Sequence, residues 1–420
     1  MPIYGGDEVN AIVIDIGSDW TRAGFSGEDS PCAYFPTRVG YIPPKEGLKN
    51  DSVTQVEASL QEKDDLDSKM EIDSTNSSSE QDLRTKNSNA TLAATKSNIS
   101  KKPNKKCFVG NMGIEVFRPN MEIQNVLKDG LIENWDAYEE IVEYSLSDCL
   151  HVNSEEQPII FSEANWNTVE KREKLTELIF EKFNVPGFFL SKSAVLSAFG
   201  TGKSTALVVD SGSQVTSVVP VYDGYVLQKG IVKQNIAGDY ISELIEASLK
   251  KEYNYVPTPL FEIKSKQIVD TGSLPNFERR NLLGVTDSYR REMRKKCLLE
   301  LKESVYQVLN VSFDRDTADN FGAKPFEFSD GFNVSIFGER YHTPEVMFQP
   351  QLFESTKSVV KDGEPLSIQE MAQLSVSKCD VDLKPHLLHN VVLSGGNTLF
   401  PGFTERFSNE LPKMCPSVII

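Results

Sequence analysis

Residues 11–27 read AIVIDIGSDWTRAGFSG. Ala11–Ile14 is a short apolar run suited to a buried strand, Asp15–Asp19 a tight turn, and Trp20–Phe25 a returning strand. Gly17 supplies a backbone position with no Cβ penalty at positive φ. Successive backbone N–H groups in such a turn form a concavity that suits phosphate. Asp15, at the end of the strand, suits a hydrated magnesium ion, which keeps several waters and takes one or two carboxylates. A single D-x-G-S turn arises readily by chance, but residues 206–213, ALVVDSGS, repeat the pattern of 11–18 almost position for position. The second copy continues into a strand at Val215–Val221, a hairpin turn at Asp223-Gly224 and a third strand at Tyr225–Val232. Two copies far apart in the chain imply two related α/β domains whose hairpins face each other across a cleft and grip one polyphosphate from both sides. Two unrelated polar hairpins are the bland alternative, and they leave the matching strand before each turn unexplained.

The chain has 420 residues, enough for two to three domains, with an ordinary globular composition. A net charge of −17 makes the fold a poor grip for DNA phosphates. The six cysteines show no C-x-x-C spacing and read as reduced thiols of an intracellular protein. His386 and His389 have no nearby cysteine, so surface or partly buried histidines are favoured over a zinc site. No signal peptide and no apolar run of about 18 residues is present.

From Lys45 to Lys106 there is no aromatic residue, and Ser, Asn, Thr, Asp, Glu and Lys dominate. Such a segment buries too little apolar surface to offset its ordering entropy and reads as a disordered insertion. Its charge is segregated: Lys45–Asp82 holds 11 acidic and 4 basic residues, Leu83–Lys106 none acidic and 7 basic. Lys101–Lys106 has the composition of a nuclear-localisation patch and equally of a solvated basic flank.

Beyond the insertion, strands and helices alternate in the α/β manner. Helices are expected at Asp136–Cys149, Asn167–Phe183, Ser193–Phe199, Tyr240–Lys250, Ser288–Gln307 and Phe403–Leu411, with strands at Pro158–Ser162 and Phe188–Leu190. Residues 27–44 read as a Pro- and Gly-punctuated connection, 251–285 as irregular, and Ser329-Asp330-Gly331 as a hairpin turn. Val391–Ser394 runs as an apolar strand into Gly395-Gly396, where two glycines let backbone approach a flat ligand or make a tight strand-to-helix connection.

Together these residues resemble the actin family. The likeness is carried by the paired D-x-G-S turns, AGFSGEDSPCAYFP (23–36), GLIENWD (130–136), KREKLTELIFEKFNVPGFFL (171–190), VPVYDGYVL (219–227), DGFNVSIFGERYHTPEVMFQP (330–350), KCDVD (378–382) and LSGGNTLFPG (393–402). Within the family, YGGDEV (4–9), SEANWN (162–167) and SGGNT are similar to the nuclear actin-related protein 4, or actin-like protein 6, subfamily. The resemblance implies the actin-hexokinase, ribonuclease-H-like fold: duplicated α/β domains around a nucleotide cleft, with ATP and magnesium as ligands. It divides the chain into a first lower lobe (1–36 and 126–200), a first upper lobe (37–125, carrying the 45–106 insertion), a second lower lobe (201–236 and 355–420) and a second upper lobe (237–354). By resemblance Asp15, Gly17 and Ser18 form the first phosphate turn, with Arg22 beside it, and Asp210, Ser211, Gly212 and Ser213 the second. Asp15 and Asp210 hold magnesium through water. Lys302 and Glu303 contact the adenosine, Gly395 and Gly396 turn against it, and Phe400 sits beside the base.

The departures from actin bear on activity. Asp19 and Gln214 stand where actin has a glycine in each phosphate turn, and a carboxylate at 19 repels phosphate. Arg22 replaces a lysine and keeps the charge in another geometry. Ser193 and Ser217 replace the glutamine and histidine that orient and assist the attacking water. Loss of such positioning costs about 10²–10⁴-fold in rate. The insertion replaces the loop that actin seats in the next subunit, which opposes filaments. The chain closes at Val418-Ile419-Ile420 where family members continue with a helical segment, so uncovered apolar surface and dependence on a partner are expected.

The implied role is a non-enzymatic, nucleotide-binding subunit of nuclear chromatin-remodelling and histone acetyltransferase complexes, serving transcription regulation and DNA repair. Its implied partners are actin, a helical scaffold segment of the larger subunits, and histones or nucleosomes, with neither membrane nor sequence-specific DNA among them. That context favours the nuclear reading of Lys101–Lys106. An actin-like ATPase or filament former is the alternative, opposed by Ser193, Ser217 and the insertion. A small-molecule kinase of the same fold needs a catalytic carboxylate that nothing in the sequence singles out.

Overall fold

The apolar run of the first motif becomes strand β1 (Ile12–Ile16), with Ile12 and Ile14 wholly buried. The computed structural model describes residues 10–43, 106–360 and 363–415. The opening YGGDEV, the inserted segment as far as residue 105 with most of its basic end, and Val418-Ile419-Ile420 lie outside the described residues. β1 returns antiparallel as β2 (Trp20–Phe25), which pairs Asp15 with Arg22. The expected connection after this hairpin instead holds a third strand, β3 (Ala33–Pro36), paired with β2. Ala33 and Phe35 alternate inward, but the neighbouring prolines hide the pattern; an edge strand tolerates proline because its outer N–H groups carry no ladder. On the other side β4 (Ile159–Glu163) and β5 (Phe188–Lys192) add in parallel, giving the order β5-β4-β1-β2-β3.

Parallel neighbours need crossovers, and helices supply them. In α1 (Trp135–Glu143) the Asn134 side chain caps the start by accepting from the Ala137 N–H. The helix expected over 136–149 changes at Tyr144 into a π-helical turn through Cys149. Ser145 Oγ donates back to the Ile141 carbonyl at 2.7 Å, a hydroxyl-to-backbone bond of the kind that bends helices. In α2 (Val169–Glu181) Thr168 is the cap, and Leu175 and Ile179 bury against the sheet core.

Helix α3 (Ser193–Gly200) leaves β5 directly yet packs on the other half: Ala194 and Ala198 lie against Ala206, Val208, Val219 and Val221. Among the described residues it is the covalent link between the two halves. The second sheet comprises β6 (Ala206–Ser211), β7 (Thr216–Tyr222), β8 (Tyr225–Val226), β9 (Val232–Gln234) and β10 (Val391–Ser394). Its order is β8-β7-β6-β10, with β9 also on β7. β10 runs parallel to β6 as β4 does to β1, and β7 returns antiparallel as β2 does. The repeat in sequence is therefore a repeat in topology. The single strand expected over 225–232 is broken by a 3-10 turn at Gln228–Gly230. Gly230 lies so close to β7 that a Cβ there would meet Pro220 at 2.4 Å.

Above the second sheet stand α4 (Gly238–Tyr253), which extends beyond the expected 240–250 at both ends, and α5 (Asp287–Val305), which begins just before the expected 288 and stops short of 307. The 251–285 stretch, expected to be irregular, contains a hairpin pairing Ile263–Gln267 with Asn276–Arg279. Only Ile263 of its first strand is buried, so no apolar alternation announces it. The turn at Ser329-Asp330-Gly331 joins two paired strands as expected. Below, α6 (Ile368–Ser377) starts with a full capping box from Ser367 and Glu370, and α7 (Phe403–Met414) closes the second core. Among the described residues no helix is long and apolar enough to cross a membrane.

The upper parts of the two halves touch. Asn120 N–H donates to the Gly284 carbonyl at 2.7 Å and Tyr289 Oη to the Glu115 carbonyl at 2.9 Å. Ile114, Met121, Tyr289 and Met293 form a small core there, and Phe117 stacks on Phe261 at 5.6 Å. A deep cleft runs beneath this contact, between the two sheets and above α3.

Candidate functional site

Both D-x-G-S turns close in the same way. Gly17 N–H donates to the Trp20 carbonyl, and Gly212 N–H to the Val215 carbonyl, each at 3.0 Å. A buried threonine follows at the same offset in each copy: Thr21 pairs with Thr37 at 2.8 Å, and Thr216 with Ser211 at 2.9 Å. The turns face one cleft of about 1130 Å³. That volume lies just above the usual range of small-molecule sites, about 300–1,000 Å³. Asp15, Gly17, Ser18 and Arg22 line it from the first half; Asp210, Gly212, Ser213, Lys302, Glu303, Gly395, Gly396 and Phe400 line it from the second.

Ser211 differs. It is fully buried, its hydroxyl engaged by Thr216 and by Asn397 Nδ2 at 3.0 Å, and it is absent from the cleft wall. Its side chain thus lies behind the turn it was expected to form. Asn397 also donates to the Gly212 carbonyl at 2.8 Å, so the SGGNT segment holds the second turn from behind. Gly395 makes that approach possible. Its φ is +89°, and a Cβ would meet the Ser211 carbonyl oxygen at 2.3 Å and Asp210 Oδ1 at 2.7 Å. Gly395→Ala is expected to destabilise the protein by more than the roughly 1 kcal/mol of an ordinary glycine replacement, read as a lowered urea midpoint.

Asp15 accepts a hydrogen bond from Ser162 Oγ and pairs with Arg22 at 3.5 Å. Asp210 sits one residue before the end of β6 with Ser394 alongside on β10. Burial, with the Asp15 charge facing it, pushes the Asp210 carboxyl up to about 6. Two carboxylates that repel across a cleft floor fit a divalent cation, and one or two carboxylates plus waters are what magnesium takes. On the same floor Ser217 Oγ is buried with no hydrogen-bond partner in the structure, an acceptor and donor left for a water or a ligand.

The expected repulsion at Asp19 does not arise as an isolated charge. Arg38 Nη2 reaches Asp19 at 2.8 Å and Lys295 Nζ at 3.1 Å. Burial alone would raise the Asp19 carboxyl, but Lys295 and Arg38 outweigh it and hold it below its usual value. Gln214 likewise turns away from the phosphate turn: its Oε1 accepts from the Asp129 N–H at 2.9 Å. Ser213 Oγ donates to Asp239 at 2.7 Å, and Lys302 Nζ donates to the Gly238 carbonyl at 3.0 Å and to Ser242 Oγ at 3.2 Å. Ser193 is held by Asn165 Nδ2 at 3.1 Å, while Asn165 Oδ1 accepts from the Ala194 N–H at 3.3 Å and so caps α3.

Sequence reasoning missed Asn165, Lys295, Asp239 and Asn397. Asn165 and Asn397 lie inside the quoted SEANWN and SGGNT runs, a signal that was present; Lys295 and Asp239 become visible only when α4 and α5 stand beside the turns.

A family model described as actin matches residues 6–419. Among curated proteins the chain is 33% identical to actin-related protein 4 of Oryza sativa subsp. japonica, covering 97% of this chain and 86% of that protein. It is 34% identical to actin-related protein 4 of Yarrowia lipolytica, over 97% of this chain and 84% of that one. It is 30% identical to the SWI/SNF and RSC complexes subunit arp42 of Schizosaccharomyces pombe, over 97% of this chain and 86% of that one.

Proposed function

Starting from a chain that belongs to the actin family, we propose a nuclear structural subunit of chromatin-remodelling and histone acetyltransferase complexes that binds ATP with magnesium and hydrolyses it very slowly or not at all. The observation that carries the nucleotide reading is the pair of matched turns placing Asp15 and Asp210 on one cleft floor. Bound magnesium would neutralise the phosphates; the two carboxylates would hold its waters. The turn backbones would carry the phosphate oxygens, and Gly395, Gly396 and Phe400 would flank the base. Lys302, tied to α4, would present its charge beside the sugar.

Slow hydrolysis follows from what the floor lacks. Ser193 is spent on Asn165, and Ser217 carries a one-carbon hydroxyl where a longer base would be needed to reach a water. A weakened positioning of that water costs about 10²–10⁴-fold. The assembly role is supported by relatives named actin-related protein 4 and by one named as a SWI/SNF and RSC subunit. Actin and a helical scaffold segment are the proposed partners, histones or nucleosomes a further contact. A nucleotide that clamps the halves adds RT ln(1 + [L]/Kd), about 2.7 kcal/mol at a hundredfold excess over Kd.

Nucleotide content and turnover, measured on protein co-purified with actin, test this reading. ATP released intact on denaturation, with turnover at least about a hundredfold below actin, is the expected result. Bound ADP with actin-like turnover would restore the ATPase alternative. An empty cleft would leave a scaffold without its ligand.

A further inference from the structure

The two positions that break the glycine pattern of the phosphate turns each reach across the cleft, in opposite directions. From the first half, Asp19 accepts from Lys295 on α5 at 3.1 Å. Lys295 also pairs with Asp239 at 2.7 Å, and Asp239 takes the Ser213 hydroxyl of the opposite turn. Beside it Arg38, 2% exposed, joins Asp19 to Glu292 of α5 at 3.3 Å. One chain of contacts thus runs from the first turn to the second through a lysine.

From the second half, Gln214 Oε1 takes the Asp129 N–H at 2.9 Å. Asn235 Nδ2 donates to Asp129 Oδ1 at 2.8 Å, and on the first half's side Trp166 Nε1 donates to the Asp129 carbonyl at 3.1 Å. Asp129-Gly130 is a two-residue hairpin turn with φ of 53° and 76°, so Asp129 sits in a left-handed conformation a side chain seldom adopts. The turn is held from both halves at once.

We propose that Asp19 and Gln214 are reciprocal cross-cleft struts that position the two phosphate turns against each other and keep the cleft shut without nucleotide. A glycine at either position makes neither contact, and closure then depends on a ligand bridging the turns. The proposal rests on reading the cleft as the nucleotide site, since its consequence is that the shape partners meet persists when the site is emptied.

The test is hydrogen exchange on full-length protein stripped of nucleotide with EDTA and apyrase, read at residues 127–132 and 284–296, together with the solution radius of gyration. The wild type should keep both segments protected and its radius unchanged on stripping. Asp19→Ala/Gln214→Ala should exchange there roughly tenfold faster when stripped, and recover on adding magnesium ATP if the nucleotide reading holds. Gln214→Glu retains a side-chain acceptor for the Asp129 N–H and should restore slow exchange at 127–132 in the Asp19→Ala background, which a mere loss of folding would not do. Exchange within β6 serves as the fold control. Equal opening of stripped wild type and double variant would overturn the proposal. So would a double variant as protected as wild type, which would assign closure to the Phe117–Phe261 contact. If nucleotide never binds, recovery fails but the stripped comparison still reads, so the two ideas fail separately.

Discussion

Arg406→Met is expected to cost about 3–5 kcal/mol, the cost of leaving a buried charge without its partner. Arg406 on α7 and Glu345 are each 1% exposed and meet through two parallel bonds, Nη1–Oε2 at 3.0 Å and Nη2–Oε1 at 2.7 Å. Nη1 also donates to the Leu309 and Val311 carbonyls, and Nε to Glu410 at 3.0 Å. The guanidinium therefore ties α7 to the irregular 309–311 stretch and to the 3-10 turn Thr343–Met347. Burial already raises the Glu345 carboxyl against the opposing pull of Arg406. Without the arginine that pull is gone, and Glu345 must be buried charged or take up a proton. The urea midpoint should fall with an unchanged slope. Arg406→Met/Glu345→Leu should regain much of the loss, because two apolar groups of similar volume leave no charge behind. A double variant no better than the single would refute this account.

Asp210→Asn is expected to act in opposite directions with and without its ligands. The folded pKa of Asp210 is raised from 3.8 to about 6. A group raised in this way contributes stability that is fully present below 3.8 and lost as pH rises through about 6. At pH 7.5 the buried carboxylate beside Asp15 then costs the empty protein about 3 kcal/mol, taking 1.36 kcal/mol per pKa unit. Asparagine removes that cost, so in EDTA the variant should melt higher than wild type. With magnesium ATP the order should reverse, since the variant lacks the carboxylate proposed to hold the metal's waters. Magnesium affinity of the wild type should weaken as pH falls through 6. Melting temperatures in both buffers decide the matter: a shift of the same sign in each would remove Asp210 from the proposed metal site.

The paired turns were legible because their physics is local. An apolar strand, an acid at its end and a glycine two residues on favour a hairpin, the repeat made the pattern specific, and both copies close with the same N–H to carbonyl bond. Helices with strong caps, such as those begun by Asn134, Thr168 and Thr286, lay close to where periodicity placed them. β3 and the 263–279 hairpin were not legible, since one is masked by prolines and the other carries almost no buried side chain. Ser18 and Ser213 follow the repeated glycine in sequence and both line the cleft, whereas Ser211, placed before its glycine where the first copy has Ile16, is buried and bonded by Asn397, 186 residues away.

By itself the sequence determined the duplicated α/β architecture, its family and the acids of the cleft floor, because these follow from backbone preference and from short runs read in order. The tertiary structure alone decided what the two irregular positions do. Asp19 read as a repulsive carboxylate, and only the approach of Lys295, 276 residues away, turned it into one end of a bridge. Gln214 read as a spoiled glycine, and only the Asp129 turn gave its amide oxygen a donor. Charge and hydrogen bonding are set by whatever arrives within about 3 Å, and distance along the chain carries no information about that.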